Sequence, residues 1–261
     1  MEIGSTRGQH ARRTAWITGA STGIGRALAL RLAREGWKVA VSARSADKLD
    51  ALAAEAESLK GDILAFPLDV TDKEKTAEAV AAIEDALGPL DLAVLNAGTY
   101  KQRKVENFSA DEFRQAVEVN LMGAVHGLEP LLPRFMERGR GHVAIVASVA
   151  GYVGLPTAAA YSATKAGLIA LAESLQPELK RKGVAITVIN PGFVDTPLTE
   201  KNSFPMPFLI PVDRAVDAIV SGLEKKRFEI VFPWQMALSM KFLRALPYPL
   251  LFLLTRFMIP K

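Results

Sequence analysis

The sequence predicts an α/β fold with a doubly wound, mostly parallel sheet of seven strands and helices on both faces. Two observations lead to this prediction. Seven short runs rich in Val, Ile and Leu alternate with longer segments rich in Ala, Leu, Glu and Lys, which is the order of strands and helices in such folds. Within the short runs, apolar residues occupy both faces of the predicted strands, as expected of strands that are buried on both faces.

Each run has the length of a strand and is followed by Gly, Pro or polar residues. In chain order the predicted strands are TAWITG (14–19), KVAVSA (38–43), ILAFPLD (63–69), LAVLNAG (92–98), HVAIVAS (142–148), VAITVINPG (184–192) and FEIVFP (228–233). The segments between them predict crossover helices. Ligands of such a sheet bind at the carboxyl ends of the strands, so the residues that follow each run are the candidate site residues.

Length and composition favour one main domain. The 261 residues are 49% hydrophobic and 23% charged, as in ordinary globular proteins. We assign residues 12–233 to this domain, 1–11 to a polar, basic arm without signal-peptide character, and 234–261 to a C-terminal extension. The net charge of +4 is too small to indicate a nucleic-acid partner.

The residue types also limit the chemistry. The chain has no cysteine, which excludes disulfides, thiolate catalysis and cysteine-based zinc sites and fits a cytoplasmic location. Its histidines, His10, His126 and His142, are scattered without the spacing of metal ligands, so no metal site is predicted.

The first strand runs into a glycine-rich turn, TGASTGIG at 18–25, that opens a helical segment. Glycines at such a junction permit a tight turn and a close approach of backbone N–H groups to a pyrophosphate, and a helix N-terminus favours negative charge. The turn therefore predicts a dinucleotide site in a Rossmann fold. Its predicted cofactor-binding residues are Gly19, Ser21, Thr22, Gly23, Ile24 and Gly25.

The end of the second strand indicates which dinucleotide binds. A carboxylate there favours NAD, because it hydrogen-bonds the ribose 2′-hydroxyl, whereas an arginine favours the 2′-phosphate of NADP. The sequence reads VSARSADKL, so Arg44 stands with the hydroxyls of Ser42 and Ser45 where the acid is expected, and Asp47 already belongs to the next helix. NADP(H) is therefore predicted over NAD(H). The alternative is that Arg44 is a solvated residue at the helix start.

Seven motifs, in this order and spacing, resemble those of the short-chain dehydrogenases/reductases, in the compact single-domain branch of that family. They are TGASTGIG (18–25), LDV (68–70), NAG (96–98), VNLMG (119–123), VASVAG (146–151), YSATK (161–165) and NPGFVDT (190–196). The resemblance extends over residues 12 to about 233. One departure is Leu95, where many members have a second asparagine.

The resemblance implies further cofactor-binding residues. Asp69 and Val70 are expected beside the adenine, and the NAG motif is expected to support the cleft through Asn96, Ala97 and Gly98. The nicotinamide side is expected to be lined by Pro191, Gly192, Val194 and Thr196.

The resemblance also implies a proton-transfer group of Asn120, Ser148, Tyr161 and Lys165, with Tyr161 and Lys165 contacting the cofactor as well. Four residues apart, Tyr161 and Lys165 lie on one face of a helix. A tyrosine has an ordinary pKa near 10, so an adjacent positive charge is needed for proton exchange at neutral pH. Ser148 is expected to hydrogen-bond the substrate oxygen and Asn120 to complete a relay through water. The predicted reaction interconverts a carbonyl and a secondary alcohol with NADP(H).

Other functions agree less well with the same sequence motifs. SATK at 162–165 matches the S-x-x-K of penicillin-recognising serine enzymes, but the S-D-N and K-T-G partners of that motif do not occur in the chain. Enoyl reductases related to the family typically place the tyrosine and lysine further apart. The alternative from another class is a non-catalytic NADP-binding module that senses redox state or has a structural role. Such a module needs only the glycine turn and Arg44, so the four polar residues favour an enzyme.

The segment FVDTPLTEKNSFPMPFLIP, residues 193–211, predicts an apolar lid over the reacting end of the cofactor and therefore an apolar substrate. The alternative is a loop that packs on the core or on a neighbouring subunit. The resemblance implies a homodimer or homotetramer joined through helices that include residues 109–138 and 157–182.

The extension 234–261 is apolar and basic, and its prolines and arginines leave no run near the ~20 residues that span a bilayer. A role in covering the substrate cleft or in an oligomer contact is favoured, and peripheral membrane contact is the alternative.

Overall fold

The computed structural model describes residues 12–200, 202 and 204–259, so the predicted arm 1–11 lies outside the described residues. Seven parallel strands form one sheet in the order β3-β2-β1-β4-β5-β6-β7. The strands are β1 (Thr14–Thr18), β2 (Lys38–Ser42), β3 (Asp62–Ala65), β4 (Leu92–Leu95), β5 (His142–Val146), β6 (Ala185–Pro191) and β7 (Glu229–Phe232). The predicted doubly wound fold is confirmed, and every pairing in the sheet is parallel.

Helices connect the strands as predicted. Those of the described residues are α1 (Gly23–Arg34), α2 (Ala46–Glu55), α3 (Lys73–Leu87), α4 (Ala110–Val117), α5 (Gly123–Arg138), α6 (Ala159–Arg181), α7 (Val212–Glu224), α8 (Trp234–Ala245) and α9 (Tyr248–Thr255). Local sequence fixes several of their starts. The Asp72 carboxylate accepts the Lys75 N–H to begin α3, and the Ser109 hydroxyl accepts the Glu112 N–H to begin α4.

The sheet separates two apolar cores. Alternate residues of one strand face opposite sides, so Trp16 of β1 joins the core under α3, α5 and α6, whereas Ile17 joins the core under α1, α2 and α7. Both residues are fully buried. Burial on both faces explains why apolar residues occupy both faces of the strands.

The order of the strands reverses between β1 and β4. From β1 the chain winds outward to β2 and β3, and it then returns to place β4 on the other side of β1. The loops that follow β1 and β4 therefore leave the sheet in opposite directions and open a crevice at its carboxyl edge. The predicted site residues lie on these loops and on their neighbours.

The C-terminal extension forms α8 and α9. Met236, Met240, Leu243 and Leu251 pack into the core that contains α5 and α6. Among the described residues, no helix is long and apolar enough to cross a bilayer.

Candidate active site

The glycine turn after β1 packs tightly against the end of β4. Gly19 and Gly23 have φ values of +66° and +57°, which favour glycine. A Cβ on Gly19 would lie 2.7 Å from Ala97 Cα, and a Cβ on Gly25 would lie 2.6 Å from Asn96 Nδ2. Both positions exclude any side chain, so the glycines bring β1, α1 and the NAG motif into direct contact.

This arrangement fits a dinucleotide phosphate. The first turn of α1 carries no acidic residue, and its N-cap residue, Thr22, makes no capping hydrogen bond with its side chain. Thr22 is exposed and Ser21 and Ile24 are partly exposed. The turn therefore presents hydroxyls and the positive end of a helix at the crevice.

Thr18 is a site residue that the sequence reading missed. Its Oγ1 accepts the backbone N–H of Asn96 at 2.9 Å and that of Ala97 at 3.1 Å. In return, Asn96 Nδ2 donates to the carbonyl oxygens of Thr18 at 2.9 Å and Gly19 at 3.1 Å. These four bonds tie the glycine turn to the NAG motif, and the only signal in the sequence was the place of Thr18 as the first residue of TGASTGIG.

The ends of β2 and β3 hold the residues predicted to contact the adenosine. Arg44 is exposed and forms no ion pair with the described residues. Ser42 differs from the expectation, because its side chain is fully buried and its Oγ accepts the Trp16 Nε1–H at 2.9 Å. Of the two hydroxyls offered to a 2′-phosphate, that of Ser45 is therefore the accessible one.

Asp69 and Val70 follow β3. The Asp69 carboxylate accepts the Thr71 N–H at 3.0 Å and the Thr71 hydroxyl at 2.9 Å, which fixes the turn that leads to α3. Val70 is buried against α5, where a Cβ on Gly123 would lie 2.7 Å from its Cγ2. Asp69 is exposed at the carboxyl edge, whereas Val70 is buried.

The four residues predicted to transfer protons converge beyond the end of β5. Tyr161 and Lys165 lie one turn apart on α6, and Lys165 Nζ is 5.6 Å from the centre of the Tyr161 ring. Lys165 is buried and donates to the Val146 carbonyl oxygen at 2.8 Å. A Cβ on Gly98 would lie 3.6 Å from Lys165 Nζ and 3.5 Å from Asn120 Oδ1, so the NAG motif borders the same space.

Ser148 begins a short 3₁₀ turn at the end of β5. Its Oγ accepts the Ala150 N–H at 3.1 Å and donates to the Pro191 carbonyl oxygen at 3.3 Å. It therefore joins the Tyr161 side of the crevice to the segment predicted to line the nicotinamide.

Burial controls the pKa values of the pair on α6. The pKa of Tyr161 is raised, chiefly by burial and to a smaller extent by Tyr100, while a hydrogen bond with Ser148 acts in the opposite direction. Burial lowers the pKa of Lys165 to about 8. We expected the charge of Lys165 to lower the pKa of Tyr161; in this structure the loss of solvation is the largest influence on that pKa.

Asn120 sits in a π-helical turn, Glu118–Met122, between α4 and α5. The Thr99 N–H donates to its Oδ1 at 2.7 Å, and its Nδ2 donates to the Thr99 carbonyl oxygen at 3.0 Å and to Thr164 Oγ1 at 3.2 Å. Thr99 and Thr164, which the sequence reading did not single out, thus hold the amide in one orientation. The relay through water assigned to Asn120 stays a prediction.

The segment after β6 links the two halves of the crevice. The Pro191 carbonyl oxygen receives the Ser148 hydroxyl, and the Gly192 N–H donates to the Phe232 carbonyl oxygen at 2.7 Å. Val194 is buried, and Thr196 Cγ2 would lie 3.3 Å from a Cβ on Gly23. The predicted nicotinamide segment therefore runs from Ser148 back to the glycine turn.

A cavity of about 190 Å³ adjoins Tyr161 and is lined by the loop after β4 and the start of α4. Its lining combines apolar Val105, Phe108 and Phe113 with the charged residues Lys101, Arg103, Lys104 and Glu112. Sequence reasoning assigned no role to this loop. In the predicted lid, Phe208 and Leu209 are exposed, and residues 201 and 203 lie outside the described part of the chain.

Comparison with known proteins gives a consistent result. A family model described as short chain dehydrogenase matches residues 13–205. An uncharacterized oxidoreductase from Myxococcus xanthus is 42% identical over 238 residues, which is 91% of this chain and 94% of that protein.

Two solved structures are similar over most of their length. An alcohol dehydrogenase from the archaeon Thermococcus sibiricus, complexed with 5-hydroxy-NADP, is 29% identical with a TM-score of 0.77, covering 85% of this chain and 96% of that chain. A short chain dehydrogenase/reductase from Burkholderia phymatum, in complex with NAD, is 22% identical with a TM-score of 0.82, covering 88% and 92%. The second likeness shows the shared fold.

Proposed function

This chain belongs to the short-chain dehydrogenase/reductase family, and we propose that it is an NADP(H)-dependent oxidoreductase that interconverts a carbonyl and a secondary alcohol on an apolar substrate. The observation that carries the proposal is the convergence of Tyr161, Lys165, Ser148 and Asn120 at the carboxyl edge of the sheet. A module that only binds the dinucleotide has no need of this group.

The proposed cofactor is NADP(H). The glycine turn and Thr22 receive the pyrophosphate, and Arg44 and Ser45 receive the 2′-phosphate, for which a guanidinium is well suited. Pro191, Gly192, Val194 and Thr196 line the nicotinamide side. The solved relative that carries 5-hydroxy-NADP supports this choice. When bound, the cofactor supplies or accepts the hydride.

The chain supplies the proton and the hydrogen bonds. In the reductive direction Tyr161 Oη gives its proton to the substrate oxygen, where charge develops, and Ser148 Oγ donates a hydrogen bond to the same oxygen. With an ordinary pKa near 10, a tyrosine phenol carries its proton at neutral pH, as the role of an acid requires. Lys165 and Asn120, whose amide is fixed by its hydrogen bonds, lie on the route by which a proton would return to Tyr161.

An apolar substrate is supported by the surroundings of Tyr161. The ring of Tyr100 packs edge to face on it with centroids 5.0 Å apart, and Val105, Phe108 and Phe113 give the adjoining cavity an apolar part beside its charged residues. A homodimer or homotetramer in the cytoplasm, joined through α4, α5 and α6, completes the proposal.

The test is the loss of NADPH absorbance with a panel of ketones, aldehydes and quinones, from small and polar to long-chain and aromatic. We expect turnover of the apolar compounds and a loss of about 100-fold or more in kcat for Tyr161→Phe. Tyr248→Phe is the matched control, because it removes the same hydroxyl from an exposed tyrosine. Tight NADPH binding without turnover of any compound would favour the non-catalytic module instead.

A further inference from the structure

The C-terminal helices carry a second apolar face that points away from the core. Of the seventeen large apolar side chains that are exposed in the described residues, eleven lie between Trp234 and Ile259, with exposed fractions of 41 to 73%. Soluble proteins seldom expose contiguous apolar patches beyond a few hundred Å². The clustering of exposed apolar side chains in this one segment therefore indicates a binding surface.

Helix α8 shows how the two faces are built. Met236, Ala237, Met240 and Leu243 are buried against the domain. On the outer side, Trp234, Leu238 and Phe242 follow one another at intervals of four residues and are 69%, 64% and 60% exposed. Residues at this spacing form one stripe along a helix. The outer stripe is not needed for packing, since the inner residues already hold the helix in place.

Helix α9 and the turn after it extend the surface. Tyr248 and Phe252 stack with ring centres 5.7 Å apart, and both are exposed. Phe257 is exposed and lies beside the Arg256 guanidinium, 4.8 Å from its ring centre. We call the exposed apolar residues of 234–259 the C-terminal apolar face.

The charges of this segment have one sign. Residues 230–261 contain Lys241, Arg244, Arg256 and Lys261 and no aspartate or glutamate. Lys241 pairs with Glu229 of β7, whereas Arg244 and Arg256 are exposed and form no ion pair with the described residues. A segment that exposes aromatic and aliphatic side chains and carries only positive charges complements the boundary between the acyl chains and the anionic headgroups of a bilayer.

We propose that the C-terminal apolar face docks on the surface of an anionic lipid bilayer, with the outer stripe of α8 and the aromatic residues of α9 in the interface and Arg244 and Arg256 at the headgroups. A second copy of the chain suits the face less well. A two-fold contact would bring the same cations together, and the segment has no acid to pair with them. The proposal is independent of the proposed reaction, because docking is measured without substrate or cofactor.

The protein contains its own probe of docking. Trp234 is exposed, whereas the other two tryptophans, Trp16 and Trp37, are buried. Insertion of the face into an interface moves Trp234 out of water and shifts its fluorescence to shorter wavelength, while Trp16 and Trp37 keep their surroundings.

The experiment mixes the full chain with vesicles of phosphatidylcholine alone or with added phosphatidylglycerol, and it records co-sedimentation and tryptophan emission. We expect binding and a blue shift on the anionic vesicles, both reduced by salt. Arg244→Glu with Arg256→Glu should lower partitioning roughly 30-fold or more, since each basic residue near an anionic surface is worth about fivefold.

The matched control is Lys60→Glu with Lys182→Glu, which makes the same change in net charge at exposed positions elsewhere. Unchanged thermal unfolding of both double variants ensures that folding is not the cause. Equal binding of the two variants would overturn the proposal. Failure of the wild-type chain to bind anionic vesicles would also overturn it. This holds if the Trp234 emission shows no shift, and equally if it shifts only as the protein self-associates at rising concentration.

Discussion

Removal of the Thr18 hydroxyl tests whether the tie between β1 and β4 holds the cofactor turn. Thr18 is buried, and its Oγ1 accepts two backbone N–H groups, from Asn96 at 2.9 Å and Ala97 at 3.1 Å. Thr18→Val keeps the shape of the side chain and leaves both N–H groups without this acceptor. Each buried donor left unsatisfied costs about 1–3 kcal/mol, and both are only partly buried here, so we expect a loss of about 2–3 kcal/mol in the free energy of unfolding.

The matched control is Thr18→Ser, which keeps the hydroxyl and removes one methyl group. It should cost about 1 kcal/mol. Urea unfolding measures both losses, and fluorescence titration with NADPH measures the effect on the turn. We expect the Val variant to bind NADPH several-fold more weakly than the Ser variant. If the two variants were equally stable and bound NADPH equally, the reasoning about this hydroxyl would be wrong.

Three further predictions follow from the site and the core. Arg44→Ala should weaken NADPH binding about 10- to 100-fold and leave NADH binding unchanged, with Lys48→Ala as control; equal effects on both cofactors would remove the assignment of Arg44. Ser148→Ala should raise the pKa of Tyr161 further, since their hydrogen bond lowers it, and so move the pH profile of alcohol oxidation to higher pH, whereas Ser148→Thr should not. Burial lowers the pKa of His142 from 6.5 to about 4, so the unfolded chain binds a proton first as pH falls. The contribution of His142 to the free energy of unfolding should be fully present above pH 6.5 and should fall by about 3 kcal/mol as the pH is lowered towards 4. A His142→Gln variant that showed the same fall would contradict this.

The fold class was predictable because its signals are local. A strand buried on both faces favours an unbroken apolar run, and β5 has one, VAIV at 143–146, at the predicted place. A helix brings Tyr161 and Lys165 to one face at any position in a protein, since the spacing of the two residues is enough. The glycine turn was predictable for a similar reason, because the positive φ angles at positions 19 and 23 favour glycine over other residues.

Other parts of the site depend on partners that are distant in the chain. Asn96 meets Thr18 across 78 residues, and Asn120 meets Thr164 across 44. No residue near Ser42 in the chain indicates that its hydroxyl oxygen accepts a hydrogen bond from the Trp16 indole. The sequence therefore suggested that this hydroxyl was available to the cofactor. The rise in the pKa of Tyr161 could not be predicted from the sequence, because the burial that causes it depends on how α6 packs against its neighbours.

The sequence by itself determined the alternation of strands and helices, the glycine turn, and the face that Tyr161 shares with Lys165, since each follows from periodicity or conformation within a few residues. Only the tertiary structure decided which carbonyl group Lys165 contacts, which groups clamp Asn120, and which face of the C-terminal helices is left in solvent. These features arise where separate segments meet, and the side chains that meet there follow from the order of the strands and the packing of helices on the sheet.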